Sequence, residues 1–126
     1  MTRGRSPAAV LADLNARGGY AMSLVCTDEG LLIDSSGELL SSEEIAGFTS
    51  LFDDIVTRAE RDLDVRCVDE VTLLDPRRGR LIFRPIRLES GQRFFLVVQA
   101  PTNATWRRNT SEACTSLVTL LEDAVG

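Results

Sequence analysis

The sequence predicts an α+β fold whose segments run in the order α-β-β-α-β-β-β-α. Three observations carry this. Apolar residues recur at helical spacing near the start, over 42–62 and again over 106–124. Between these helices lie five short runs of extended character, punctuated by Asp28-Glu29-Gly30, Pro76-Arg77-Arg78-Gly79 and Ser90-Gly91. The segments fill the 126 residues and leave little room for a second domain, so a single domain over 1–126 is expected, with 1–5 flexible.

The first helix opens with Ser6 as a cap and Pro7 at the first helical position, where its missing N–H costs nothing. Val10, Leu11 and Leu14 form its apolar stripe, and Gly18-Gly19 ends it. A strand from Tyr20 to Thr27 follows, turns at Asp28-Glu29-Gly30, and returns through Leu31-Leu32-Ile33 before fading into Asp34-Ser35-Ser36-Gly37. Gly30 supplies the freedom to take positive φ in that turn.

The long helix begins at Ser41-Ser42-Glu43-Glu44, where Ser41 and Glu44 match a capping box, and runs to about Asp62. Ile45, Phe48, Leu51, Phe52, Ile55, Val56 and Ala59 share one broad face, read as the core face. Opposite Phe48 lie Ala46, Ser50 and Thr57, flanked by Asp53 and Glu60 on one side and by Asp54 and Arg61 on the other. A row of small residues admits a close neighbour, and flanking charges of both signs can set its register; the alternative is a merely solvated face.

Val65–Asp75 reads as the third strand. Val65, Cys67, Val71 and Leu73 fall on one side with Asp69 among them, and this mixture of charge and apolar residues is typical of a sheet edge. The fourth strand, Arg80–Glu89, contains Pro85, which cannot donate to a ladder and predicts a bulge or locally unpaired backbone there. Arg93–Val98 is the most apolar run and the expected centre of the sheet. The last helix is capped by Thr105 and presents Trp106, Thr110, Ala113, Leu117, Leu120, Leu121 and Ala124 on one side.

Composition narrows the chemistry. A chain of this length buries roughly two-thirds of its unfolded surface, enough for a proper core. It contains no histidine and no lysine, which removes Ser-His and Cys-His pairs, the P-loop lysine and Schiff-base chemistry. All basic residues being arginine points to GC-rich coding and hence to a bacterial source. Three isolated cysteines, Cys26, Cys67 and Cys114, suit reduced thiols in the cytoplasm and give no zinc spacing. Asp28, Glu29 and Asp34 read as turn chemistry, not a metal loop, and Asp53-Asp54 as a solvated helix surface. The expectation is a non-enzyme with no catalytic, cofactor-binding or metal-ligating residue. The net charge of −5 argues against nucleic acid as a partner, and no apolar run long enough for membrane insertion is present. Charge is uneven: residues 1–64 hold 12 acids and 5 arginines, residues 65–126 hold 7 acids and 9 arginines. A small-ligand pocket lined by Phe94, Phe95 and Trp106 is a further reading, set against their simpler reading as core.

The stretch Gly19-Tyr20-Ala21-Met22-Ser23-Leu24-Val25-Cys26-Thr27-Asp28-Glu29-Gly30-Leu31-Leu32-Ile33-Asp34-Ser35-Ser36-Gly37, with the helix from Ser42, the strands near Arg80–Pro85 and Arg93–Val98 and the last helix, resembles the Roadblock / dynein light chain family over nearly the whole chain. The resemblance implies a five-stranded antiparallel sheet sandwiched by helices. It implies dimers, with itself or a related Roadblock protein, in which third strands pair edge to edge and long helices pack side by side. The dimer or partner residues expected on this basis are Ala46, Ser50, Asp53, Asp54, Thr57 and Arg61 of the long helix and Val65, Cys67, Val71 and Leu73 of the edge strand. Family members bind small Ras-like GTPases or serve as scaffolds, and bacterial ones act in motility and cell polarity. Two functions follow as expectations: a dimeric regulator or adaptor of a Ras-like GTPase, and a nucleotide-independent scaffold for a second Roadblock protein or another protein partner. Arg58 or Arg61 could act in trans on a GTPase, but an ordinary helix ion pair such as Asp54 with Arg58 is the simpler role.

Overall fold

The computed structural model describes residues 5–37 and 42–125. The elements are α1 (Pro7–Gly18), β1 (Met22–Thr27), β2 (Leu32–Gly37), α2 (Ser42–Asp62), β3 (Val71–Asp75), β4 (Gly79–Arg87), β5 (Arg93–Ala100) and α3 (Arg107–Val125). The expected order is therefore present. The strands form one antiparallel sheet, β2-β1-β5-β4-β3. The apolar run Arg93–Val98 sits at its centre, and the third strand is an edge, as the sequence predicts.

Alternation along the strands divides the core into two layers. On one face Val25, Ile82, Ile86, Phe94, Leu96 and Val98 meet Val10, Leu11 and Leu14 of α1 and Ala113, Leu117 and Leu121 of α3. On the other, Met22, Leu24, Cys26, Phe83, Phe95 and Val97 meet Ile45 and Ala46 of α2. Phe94 and Phe95 thus point to opposite faces and are fully buried, so the pocket imagined between them and Trp106 does not exist.

Local chemistry fixes the ends of α1. The Ser6 hydroxyl accepts from the Ala9 N–H at 3.1 Å, and Gly19 closes the helix in the left-handed region at φ 69°, donating to Asn15. Ser41, half of the expected capping box of α2, lies outside the described residues. Tyr20 is buried and its hydroxyl donates to the Thr105 carbonyl at 2.6 Å, tying the start of the sheet to the loop before α3.

Three expectations need correction. The third strand spans only Val71–Asp75, and Val65 and Cys67 precede it in irregular backbone. The reason is side-chain competition: the Val68 N–H donates to the Glu60 carboxylate at 2.8 Å and the Asp69 carbonyl accepts from Arg84 at 3.0 Å, so these groups do not join a ladder. Pro85 causes no bulge. The β4–β5 register runs unbroken through Pro85↔Phe95, and β3 ends at Val71↔Phe83, so no strand beyond Pro85 asks for its missing N–H. The bulge falls instead between Val25 and Cys26 against β2.

The third correction concerns the roll of α2. Its buried residues are Ile45, Ala46, Thr49 and Val56. Phe48, Leu51 and Ile55, read as core, are 58%, 59% and 53% exposed. The sheet beneath α2 is already filled by Met22, Leu24, Cys26, Phe83, Phe95 and Val97, so small side chains on the helix let it sit close. Thr49 reaches down to the Cys26 thiol at 3.4 Å. The β1–β2 turn closes over the flank: a Cβ at Gly30 (φ 89°) would stand 2.9 Å from the Ala46 carbonyl oxygen and 3.2 Å from Gly47 Cα. Gly30→Ala is expected to cost about 1–2 kcal/mol through positive φ and this clash, read as a lower midpoint in urea.

Candidate functional site

With α2 rolled in this way, an apolar surface stands open beside the free edge of the sheet. On α2 it consists of Phe48, Leu51 and Ile55; on β3 it is Leu73, 45% exposed. Between them lies a groove of about 420 Å³ lined by Glu44, Ile45, Phe48, Phe52, Leu73, Arg78, Leu81 and Phe83. Its floor is fixed by the tilted stack of Phe52 on Phe83, with ring centroids 4.4 Å apart. Large apolar side chains this exposed and this contiguous on a small domain mark an interaction surface. Strand β3 adds an unpaired backbone edge to the same surface.

The expected site residues are only partly gathered here. Leu73 lines the groove and Val71 packs half-buried against the α2-side core. Ala46 is fully buried among core residues, so it cannot meet a partner; the row Ala46-Ser50-Thr57 is not an open stripe, because the β1–β2 turn covers its first member. Ser50 and Thr57 are exposed, and their hydroxyls donate to the Gly47 and Asp53 carbonyls of their own helix. Val65 and Cys67 are exposed in the segment before β3. Phe48, Leu51 and Ile55 are the residues that reasoning from the sequence missed. The available signal was the width of the α2 apolar arc, which exceeds what one face of a five-stranded sheet can cover.

Four charged residues of α2, Asp53, Asp54, Glu60 and Arg61, are paired within the chain. Asp53 is not a solvated acid: its carboxylate accepts from Arg93 at 2.9 and 2.6 Å, with Asp28 at 3.5 Å from the same guanidinium. The hydrogen bond that Arg93 donates to Asp53 leads in raising the Arg93 pKa above its ordinary value, with the Asp53 and Asp28 charges adding to it against partial burial. Asp54 pairs with Arg58 at 3.1 Å, as the helix spacing predicts, and Arg61 forks onto Asp62 at 2.7 and 3.1 Å. Glu60 holds Arg87 at 2.7 Å as well as the Val68 N–H. Neither Arg58 nor Arg61 is a free guanidinium.

Among the described residues no three His, Cys, Asp or Glu side chains converge to hold a metal. Cys26 and Cys114 are pushed up to about 11, in both cases mainly by burial, so they stay protonated thiols at neutral pH. Their raised values stabilise the fold fully below pH 9, and this contribution is lost as pH rises through about 11. Cys67 alone is exposed. A thiol reagent at pH 8 is expected to label Cys67 rapidly and the other two only on unfolding; fast labelling of all three would contradict the packing.

No protein-family model matches the sequence, and no curated protein matches it. The structure does match solved ones. A Roadblock/LC7 domain from Streptomyces avermitilis is 17% identical, with TM-score 0.77 over 91% of this chain and 97% of the other. MglB of Myxococcus xanthus is 16% identical, with TM-score 0.80 over 96% and 98%. The gliding protein MglB of Thermus thermophilus is 13% identical, with TM-score 0.80 over 98% and 94%. At such identities what is shared is the path of the chain, and it is shared from end to end: this protein has the Roadblock/LC7 fold.

Proposed function

We propose that the chain, one Roadblock module over 1–126, is a non-enzymatic dimeric regulator or adaptor that works with a small Ras-like GTPase in the bacterial cytoplasm, in motility or cell polarity. The observation that carries this is the open apolar surface of α2 and β3, Phe48-Leu51-Ile55 beside Leu73 and a free strand edge. A second copy offers the same helix and the same edge, so two copies related by a two-fold axis would cover both. The likeness to MglB structures, one of them described as having a tetrameric arrangement, supports self-association and the motility setting. No helix among the described residues is long and apolar enough to cross a membrane.

One observation favours the second reading, a nucleotide-blind scaffold for another Roadblock protein. Asp53, Asp54, Glu60 and Arg61 are all paired within the chain, so these α2 charges are compensated internally and leave the exposed apolar residues to meet a like surface. Affinity capture from extract of the source cells separates the two readings. With a non-hydrolysable GTP analogue, and not with GDP, the regulator reading expects recovery of a small GTPase. Equal recovery of a second Roadblock protein with either nucleotide, and no GTPase, establishes the scaffold.

A further inference from the structure

The arginines are distributed unevenly between paired and unpaired. Among the described residues Arg5, Arg17, Arg58, Arg61, Arg84, Arg87, Arg93 and Arg107 form ion pairs. Arg66, Arg77, Arg78, Arg80 and Arg108 have no carboxylate partner there; Arg77, Arg78 and Arg80 lie in or beside the β3–β4 turn, and Arg80 reaches Trp106 at the start of α3. Trp106 organises the group: the Arg80 guanidinium lies 5.0 Å and that of Arg107 5.6 Å from its ring centroid. Its indole N–H is fixed by Glu70 at 2.9 Å. Arg80 is thereby held by the ring and not by hydrogen bonds, and its Nε has no partner. Arg78 and Arg80 flank a cleft of about 240 Å³ whose other walls are Leu73, Leu74, Asp75, Gly79, Leu81 and Gln99. Leu74 is 55% exposed and lies opposite Arg80 in the β3–β4 ladder, on the α3 face of the sheet. Asp75 is engaged by the Arg77 N–H of its own turn at 2.9 Å.

We propose that this surface is a docking site for an acidic peptide segment of a partner protein, one that places carboxylates against Arg78 and Arg80 and an apolar side chain on Leu74. Guanidinium donors held in advance suit carboxylates, which accept two parallel hydrogen bonds. Single-stranded nucleic acid is disfavoured because two guanidiniums already lie against the one tryptophan, where a base would stack. The net charge of −5 repels a long polyanion or an anionic membrane, whereas a short acidic segment feels chiefly the local arginines. The cleft presents Leu74 and Arg80 on the α3 face of the sheet and meets the α2-side groove at Leu73, Arg78 and Leu81.

The test uses a dye-labelled synthetic Glu/Asp-rich peptide carrying leucines, with its Gln/Asn counterpart, a single-stranded oligonucleotide of equal charge and phosphatidylserine vesicles as comparisons. Anisotropy and Trp106 emission are the readouts, at low and physiological salt. The acidic peptide is expected to bind, to perturb Trp106 emission, and to bind about tenfold more weakly to Arg78→Glu and to Arg80→Gln. Arg58→Gln should bind as the parent does. The proposal is overturned if the Gln/Asn peptide binds equally, if both arginine variants bind like the parent while folded, or if the acidic peptide fails to bind at low salt. Equal affinity for the oligonucleotide or the vesicles also overturns it, making this a general anion surface.

Discussion

Replacing Phe48 and Leu51 with glutamate should leave the chain a folded monomer and abolish the dimer proposed above. Both side chains are more than half exposed in the isolated chain, so neither substitution opens a cavity, and the cost to the monomer fold is that of a surface change, about 0.5 kcal/mol or less each. In a two-fold contact every substitution occurs twice, and each new carboxylate must lose water against an apolar neighbour. At about 2 kcal/mol or more per unpaired polar group, the dissociation constant should rise at least about a hundredfold. Sedimentation across a concentration series checks this directly. The parent's melting temperature should climb with protein concentration, because association stabilises only the folded state, and that dependence should vanish in the variant. An unchanged dimer mass would move the interface off α2. Ser50→Glu is the informative neighbour: it charges the same helix outside the apolar patch and should weaken the dimer far less. Ala46→Glu tests nothing about the interface, because Ala46 is fully buried and a carboxylate there would unfold the chain first.

That last contrast shows where the sequence was legible. Features that depend on neighbours in sequence were readable: the Ser6 cap and Pro7, the Gly19 terminus, the positive φ of Gly30, the Asp54–Arg58 pair. So were features set by apolar density, such as the central place of Arg93–Val98 and the mixed edge character of β3. The roll of α2 was not readable, because helical periodicity gives the angle between residues and not which part of a wide apolar arc meets the sheet. That choice is made by the volume available over Met22, Leu24 and Cys26, and small residues won it. The length of β3 was hidden for a related reason. Alternation from Val65 onward looked like a strand, but its backbone was claimed by Glu60 and Arg84, residues distant in sequence.

Arg84→Met is expected to destabilise the protein by about 3 kcal/mol, lowering the melting temperature by roughly 10 °C for a chain of this size. Its place on β4 gave no hint of its role. The side chain is buried on the α3 face, and its guanidinium donates to the Thr110 hydroxyl at 2.6 Å, the Ser111 hydroxyl at 3.2 Å, and the Asp69 carbonyl and carboxylate at 3.0 and 3.2 Å. Methionine keeps most of the volume and removes every donor, so the loss measures hydrogen bonding and not a cavity. The ion pair itself contributes little. The Asp69 side chain is 79% exposed, and water can replace its partner, so Asp69→Asn should cost less than about 1 kcal/mol. A loss from Asp69→Asn equal to that from Arg84→Met would reverse this assignment and make the charge pair dominant. The larger consequence is positional. Arg84 fastens the backbone at Asp69 to the start of α3, two residues before β3 begins. Without it, amide exchange should accelerate over 66–70 ahead of the rest of the sheet. The edge that β3 offers to a second copy should then loosen, so Arg84→Met should weaken the dimer from a distance while leaving Phe48, Leu51 and Ile55 untouched.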